Sequence, residues 1–566
     1  MITSNNSATD KEVDVLVVGS GTGMAAALAA HEQGLNVLVV EKTEYVGGST
    51  ALSGGGIWLP ANDVLKRGGS LDTVSQGLKY TESVVGDTSP EDRWTSVIEH
   101  GPDTIAMLER TTDLSFMWSR GYSDYHPENP GGHAVGRTIE ANPFDAASLG
   151  EERGNLRPTG LEAPVPMPIT SADYRWMNLV AKKPTKGIPK IAQRVIQGIG
   201  GKVIGREYIA GGEALAAGLF GGLIKAGIPV WTEAALDELI VDGDRVVGAK
   251  ITQAGKTVTV GARRGVIMAT GGFDHDMEWR HEYQIKGIEN WSLGNPGNTG
   301  DGIKAAQSIG ADIALMDQAW WFPAKAPLPG EKPSVLLAER SLPGSFIINQ
   351  DGQRFINEAS DYMTFGQTLQ RKEREGNPVK KMWIIFDQEY RNSYVFAAGL
   401  FPRMPIPQEW FDGGIAFKGN SPTELATAMG IPERDFAQTL AKFNRMAAAG
   451  IDSDFNRGGS AYDRYYGDPT VTPNPNLRPL VGKPLYAVEV VLSDLGTCGG
   501  IKADARGRAL NPAGDVIDGL YAIGNTAGNA FGETYPGAGA TIGQGLTLGY
   551  VAALDAAGVE AKPAIA

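Results

Sequence analysis

The sequence predicts an α/β protein in which one parallel-sheet domain is interrupted by a second, α+β, domain. Three observations carry this. Residues 13–41 run apolar strand, glycine turn, alanine-rich helix, apolar strand and acid, which is a βαβ unit of about 30 residues. Further glycine clusters close apolar runs far along the chain, at Gly271-Gly272 and Gly524. Between those returns, residues 313–484 mix strand and helix patterns with many aromatics. At 566 residues the chain exceeds what one hydrophobic core supports. The expected division is 12–312 and 485–566 for the sheet domain, with 313–484 inserted.

Taken in order, Asp14-Val15-Leu16-Val17-Val18 reads as a buried strand and Met24–His31 as a helix. Asn36-Val37-Leu38-Val39-Val40 follows as the parallel strand, closing on Glu41. Ser89-Pro90-Glu91 has the cap, first-turn proline and early acid of a helix that runs to about Glu109. Thr111–Met167 is rich in Pro, Gly and aromatics and reads as functional loop. A helix over Gly211–Gly227 feeds a strand at Pro229-Val230-Trp231, and Val241–Gly248 is a hairpin turning on Asp-Gly. Gly265–Ala269 returns to the sheet. Leu485–Leu492 is expected to begin the final return, followed by the strand Asp518–Asn525 and a helix over Ala540–Ala557.

Composition excludes several classes. No run of 18 apolar residues exists to cross a bilayer, and the polar stretch Met1–Glu12 has no secretory signature, so a cytoplasmic location is expected. A formal charge of −14 is unsuited to nucleic acid. Cys498 stands alone and the six histidines lack metal-ligand spacing, so no disulfide and no metal centre is expected. The 75 glycines are the oddity, and they suit backbone that must approach a flat, phosphate-bearing ligand.

Gly19, Gly21, Thr22 and Gly23 lie between strand and helix, where backbone N–H groups and the helix dipole can hold a pyrophosphate. Glu41, with Lys42 beside it, ends the next strand, placed for ribose hydroxyls. The spacing departs from GxGxxG, because Met24 takes the sixth position. A glycine turn that only lets helix pack on strand would look the same. The further clusters favour a ligand: Gly48-Ser49-Thr50, Ser53-Gly54-Gly55, Gly271-Gly272, and Gly524-Asn525. One long, bent dinucleotide touching all of them is the simpler reading.

Val15–Glu41, Gly47–Gly56, Ala269–Gly272, Asn298–Gly302 and Gly519–Asn525 together resemble the fumarate reductase and succinate dehydrogenase flavoprotein superfamily. Within it, Ser53–Pro60, Ser493-Asp494-Leu495-Gly496-Thr497 and Thr534–Gly539 are similar to the 3-ketosteroid dehydrogenases. The resemblance implies a discontinuous Rossmann-like FAD-binding domain with an inserted catalytic domain, and it adds Asp301 to the cofactor residues. It implies dehydrogenation of a 3-ketosteroid to the 1,2-ene. No histidine stands near Gly47–Gly56 to link a flavin covalently, so noncovalent FAD is expected, and an unidentified electron acceptor is required. The inserted domain carries no histidine, against a dicarboxylate site.

Dehydrogenation beside a ketone needs a base, donors for the developing enolate oxygen and a hydride acceptor, which flavin supplies. Tyr535-Pro536-Gly537-Ala538-Gly539 offers a phenol and a backbone N–H at a helix start, and by resemblance Tyr535 and Gly539 hold the 3-keto oxygen. A Pro-Gly turn with Tyr535 in the core is the alternative. By resemblance Tyr362 is the base and Tyr125 the phenol that assists it. A base phenol must be helped down from a pKa of about 10. Trp320-Trp321-Phe322 and Ile57-Trp58-Leu59 are each either walls of a flat apolar pocket or ordinary core. Cys498 receives no role.

Tyr174–Arg206 holds eight basic residues and no acid, with Ile191, Val195, Ile199 and Val203 every fourth residue. Two readings stay open for this insertion: a charged face over a core helix, or peripheral contact with an anionic membrane. The sister reaction, a 3-oxo-5α-steroid 4-dehydrogenase, would use the same parts with the base moved. A non-catalytic flavin-binding redox protein is the alternative of a different class.

Overall fold

A computed structural model describes residues 9–159, 166–397 and 399–561, so part of the polar N-terminal stretch and residues 160–165 of the expected loop lie outside the described residues. The first sheet runs in the order Arg508–Leu510, Val516–Ala522, Arg245–Gln253, Lys256–Met268, Lys11–Val18, Val37–Val40, Val230–Trp231, with Ala234–Asp242 paired to Arg245–Gln253. Lys11–Val18 pairs in parallel with both neighbours. Its residues Val15–Val18 are all buried, as a strand covered on both faces must be.

The helices Gly23–Glu32 and Ala540–Ala557 pack against one another on one face of this sheet. Gly23 makes that possible, because a Cβ there would lie 2.9 Å from both Ala269 and Val17. Gly19 takes φ +108°, and a Cβ would sit 2.1 Å from the Ala269 carbonyl oxygen, so only glycine turns the chain there. The 91–111 helix spans Glu91–Thr111; Pro90, not Ser89, occupies its cap, and the Ser89 hydroxyl is buried without a partner.

The second sheet is antiparallel, in the order Ser334–Val335, Ala319–Lys325, Leu485–Thr497, Met382–Asp387, Ser345–Asn349, with Ala416–Gly419 also on Leu485–Thr497. The strand expected to open the return to the first sheet is therefore the centre of the second. An apolar run states that a strand is buried, but its sheet is decided by pairing partners distant in sequence. The second sheet closes at Thr497, and the chain rejoins the first only at Arg508.

The 174–206 region is a pair of helices, Ser171–Asn178 and Pro184–Val203. Its inner face is small and polar: Gly187, Arg194, Gly198 and Gly201 are buried, and Arg194 pairs with buried Asp173 at 2.6 Å. The free apolar face departs from the expected four-residue stripe. Ile191 and Val195 are half-buried, while Ile188, Ile196, Ile199 and Val203 are exposed, because a helix repeats every 3.6 residues and a strict four-residue period drifts off one face. No helix among the described residues is long and apolar enough to cross a membrane.

Candidate active site

Three phenols from remote segments share one buried cluster. Tyr125 comes from the loop before Arg137, Tyr362 opens the helix Tyr362–Arg374, and Tyr535 precedes the helix Ala540–Ala557. Their ring centroids stand 5.5 Å (Tyr125–Tyr362), 5.2 Å (Tyr125–Tyr535) and 5.4 Å (Tyr362–Tyr535) apart. The Gly539 N–H donates to the Tyr535 hydroxyl at 3.2 Å, so one acceptor oxygen can reach both groups. Gly539 holds φ +95° against Gly56, whose carbonyl would meet a Cβ at 2.2 Å.

Strand alternation divides the tryptophan run. Trp320 packs on Tyr535 at 4.8 Å and Phe322 on Tyr362 at 4.7 Å, whereas Trp321 points to the opposite face, into a cluster with Ile288. Trp58 is fully buried under Gly537 and donates Nε1–H to Asp124 at 2.8 Å, so it supports the site from below.

The polar braces of this cluster carry no sequence signal. Arg137, 1% exposed, pairs with Asp72 at 2.8 Å and with Asp124, next to Tyr125. The Tyr80 hydroxyl donates to the Pro536 carbonyl at 2.7 Å and accepts the His126 N–H at 3.1 Å. The Tyr125 N–H also donates to the Pro536 carbonyl, at 3.0 Å. Together these fasten the Tyr125 loop to the Tyr535 turn.

Burial pushes the Tyr362 phenol well above its usual range, and Tyr535 and Tyr122 push it the same way; the Tyr125 hydroxyl works against them. Tyr125 is raised likewise, by burial first. Asp361 caps the helix on which Tyr362 is the first residue, so that helix N-terminus lies at the backbone of the candidate base. Burial also pushes the Cys498 thiol well up, which makes it unreactive.

The expected cofactor residues form a cradle beside the phenols. The turn Gly19–Gly23 approaches the loop Gly47–Thr50 closely: a Cβ on Gly48 would lie 3.7 Å from Gly21, and one on Gly21 would lie 3.3 Å from the Thr50 hydroxyl. No side chain caps the helix Gly23–Glu32. Thr22 approaches Gly524 and Gly545. Glu41 is fixed at both oxygens: Oε2 accepts from the Ser20 N–H and Oγ at 3.2 and 2.6 Å, and Oε1 from the Thr43 N–H and Oγ1 at 3.0 and 2.8 Å, so a ribose hydroxyl would have to displace one of these donors. Lys42 donates to Thr299 and pairs with Asp301 at 3.0 Å. Ser49 Oγ accepts from the Asn298 amide at 3.0 Å, and Asn525 Oδ1 accepts the Trp320 Nε1–H at 3.1 Å. Ser53, Gly54 and Gly55 instead pack on the start of the helix Gly211–Ala226, where a Cβ on Gly55 would lie 2.3 Å from Gly211. Glycine backbone, an uncapped helix start and short hydroxyls, continuing to Asn525 beside Trp320, are a donor set that fits a dinucleotide with a flat ring.

Behind Gly272 and Gly496 lies a buried network that sequence reading missed. Asp274 and Asp494 are bridged by Ser292 Oγ at 3.1 and 2.6 Å, and Arg280 pairs with Asp494 at 2.7 Å. Burial raises the Asp274 carboxyl, and the Asp494 charge adds to the shift.

The sequence family described as FAD binding domain matches residues 14–542. A curated 3-oxosteroid 1-dehydrogenase of Mycolicibacterium smegmatis is 44% identical over 98% of both chains. A 4-oxocyclohexanecarboxylate 2-dehydrogenase of Sinomonas cyclohexanicum is 33% identical, covering 96% of this chain and 93% of its own. The crystal structure of 3-ketosteroid delta1-dehydrogenase from Sterolibacterium denitrificans, in complex with 1,4-androstadiene-3,17-dione, superposes with a TM-score of 0.91 at 35% identity, covering 97% of this chain and 100% of that one. The chain belongs to the FAD-binding flavoproteins and, within them, to the 3-oxosteroid 1-dehydrogenase family.

Proposed function

We propose that the protein removes hydrogen from carbons 1 and 2 of a 3-ketosteroid. The observation that carries this is the convergence of Tyr125, Tyr362, Tyr535 and the Gly539 N–H in one buried cluster walled by Trp320 and Phe322. The relatives named above support it: one acts on steroids and another on a small cyclic ketone, and the shared element is a ring carbonyl.

In this reading Tyr535 and the Gly539 N–H donate to the ketone oxygen, which acidifies the neighbouring carbon by stabilising the charge that develops on oxygen. Tyr362 takes the carbon-2 proton. The Tyr125 ring packs edge-on against Tyr362, and its buried hydroxyl favours the ionised form of that phenol. Trp320 and Phe322 hold the flat substrate and keep water out. Bound FAD supplies the hydride acceptor, held by Gly19–Gly23, Glu41, Lys42–Asp301, Gly48–Thr50, Gly271–Gly272 and Asn525. The loop 47–56 has neither histidine nor cysteine, which supports noncovalent binding; flavin released by acid precipitation would establish it. The reading also requires an electron acceptor to reoxidise the cofactor. It divides the chain into a cofactor-binding unit in two pieces and a catalytic unit ending at Thr497. An anaerobic titration with a 3-keto-4-ene steroid, followed at the flavin band with product identification, tests it: a yellow protein that is not bleached refutes it.

The helix Pro184–Val203 supports docking on an anionic membrane. Ile196 and Val203 are 72% and 81% exposed, Ile188, Ile199 and Ile204 extend the apolar ridge, and Lys186, Lys202 and Arg206 flank it. Ile196→Asp with Val203→Asp should abolish co-sedimentation with anionic vesicles while turnover of soluble steroid persists. Unchanged sedimentation would end this reading.

A further inference from the structure

Asp274 has one oxygen that the fold satisfies and one that it leaves open. Oδ2 accepts from the Asn298 amide at 3.3 Å and stands 3.1 Å from Ser292 Oγ, whose single proton goes to Asp494 at 2.6 Å. Oδ1 is buried and has no partner. It faces the two glycines of the cradle wall: a Cβ on Gly272 would lie 3.4 Å from it, and one on Gly496 would lie 3.9 Å from it. The same Gly496 Cβ would lie 2.8 Å from Asn525 Nδ2 and 3.7 Å from Trp320, whose ring touches Tyr535. The open oxygen thus lies directly behind Gly496, the residue that also meets Asn525 and Trp320.

The charges around it do not balance. Asp494, His275 and Arg280 are the charged groups that act on Asp274, and Arg280 already pairs with Asp494 at 2.7 Å. The Asp274 carboxylate is left without its own cation in a dry interior, which is costly. The partly exposed His275 is the neighbour that links Asp274 to solvent. His275 Nε2 stands 3.7 Å from Asp274 Oδ2, and its partly exposed ring also reaches Asn290 and the Gly294 carbonyl.

We propose that Asp274 is a redox-linked proton acceptor for the cofactor, taking a proton through His275 when the cofactor is reduced and returning it on reoxidation. This rests on the reading that FAD lies along the Gly272–Gly496 wall. The substrate delivers a proton to Tyr362 and a hydride, with its electron pair, to the cofactor, so the steroid is oxidised and the cofactor gains one negative charge. A hydronium from solvent then gives up its proton, by way of His275, to form an O–H bond at the Asp274 carboxyl and returns to solvent as water, which cancels that charge. When the electron acceptor takes the electron pair, the hydrogen that arrived as hydride leaves as a proton, Tyr362 releases the substrate proton to solvent, and the Asp274 O–H bond breaks, its proton leaving by the same imidazole. Raised proton affinity of the buried carboxyl supports the step.

The test uses the FAD-loaded protein. One proton taken up per two electrons adds about 30 mV per pH unit to the slope of the flavin midpoint potential, the value of a tenfold change in a two-electron couple. Asp274→Asn should lose that increment between about pH 6 and about pH 8, above the value of about 6 to which burial raises the carboxyl, while still binding FAD. The wild-type reduced-minus-oxidised infrared spectrum should show a protonated-carboxyl band that appears on reduction, a readout that stands even where the variant fails to fold. Wild-type protein lacking that band, or an FAD-loaded variant with an unchanged slope, overturns the proposal. A protein that binds no FAD refutes the cofactor reading instead.

Discussion

Tyr535→Phe removes one oxygen atom and leaves the packing that positions the ring, since the contacts with Tyr125, Tyr362 and Trp320 are made by aromatic carbon. The Gly539 N–H loses its 3.2 Å acceptor, which costs about 1 kcal/mol of stability and leaves the fold intact. Turnover should suffer far more. Of the two donors proposed for the ketone oxygen, one remains, and the lost donor would act where charge develops in a buried, low-dielectric cluster; the expected penalty is about 2.7–4 kcal/mol, or about 10²–10³ in rate. The ground-state ketone carries less charge than the transition state, so kcat should fall much more than KM rises. Anaerobic stopped-flow bleaching of the flavin band at saturating steroid reads the chemical step directly, with FAD content measured on the same sample. A variant bleaching within about threefold of wild type, roughly 0.6 kcal/mol, would refute the oxygen-gripping role of Tyr535.

Three further outcomes are expected. Gly539→Ala places a Cβ 2.2 Å from the Gly56 carbonyl at φ +95°, so it should destabilise by more than about 1 kcal/mol and lose most turnover; a melting temperature and rate equal to wild type would contradict it. Because burial raises Tyr362, its base form is scarce at neutral pH and grows with alkalinity, so kcat/KM should climb between about pH 7 and about pH 10; a flat profile there would count against Tyr362 as base. Burial pushes the Glu339 carboxyl up to about 7, despite the Ala397 N–H it accepts. A raised folded-state value contributes stability below the unfolded value that is lost as pH rises through about 7, here about 3 kcal/mol. Glu339→Gln should flatten that loss in urea unfolding at about pH 5 and about pH 8, and an identical loss in both proteins would rule Glu339 out as its source.

What the sequence shows well is what is local. The unit from Lys11 to Val40 and the helix Ala540–Ala557 are legible because their signals, apolar runs and glycine punctuation, lie within the elements themselves. The phenol cluster is not legible in that way. Nothing near Tyr125, Tyr362 or Tyr535 says that the rings meet, and only resemblance singled them out from 17 tyrosines. The braces are less visible still, since Asp72 and Arg137 are 65 residues apart and Ser292 and Asp494 are 202 apart. The tryptophan run shows the intermediate case: alternation dictates that Trp320 and Trp321 face opposite ways, but which way is inward depends on pairing with Leu485–Thr497.

That strand explains how one site can be assembled across two units. Its first half is the spine of the second sheet, bonded to Met382–Asp387 and Ala416–Gly419, while its last residues serve the cradle. Asp494 accepts from Ser292 Oγ at 2.6 Å and from the Gly496 N–H at 2.9 Å, and Thr497 Oγ1 accepts the Phe273 N–H at 3.0 Å. The same strand pairs with Ala319–Lys325, which sets Trp320 and Phe322 against Tyr535 and Tyr362. One continuous backbone therefore ties the Phe273–Ser292 side to the phenol cluster, the two walls of the proposed site. A rigid strand suits chemistry in which a proton and a hydride leave adjacent carbons toward groups on different units, because relative drift of those units would misalign both transfers at once.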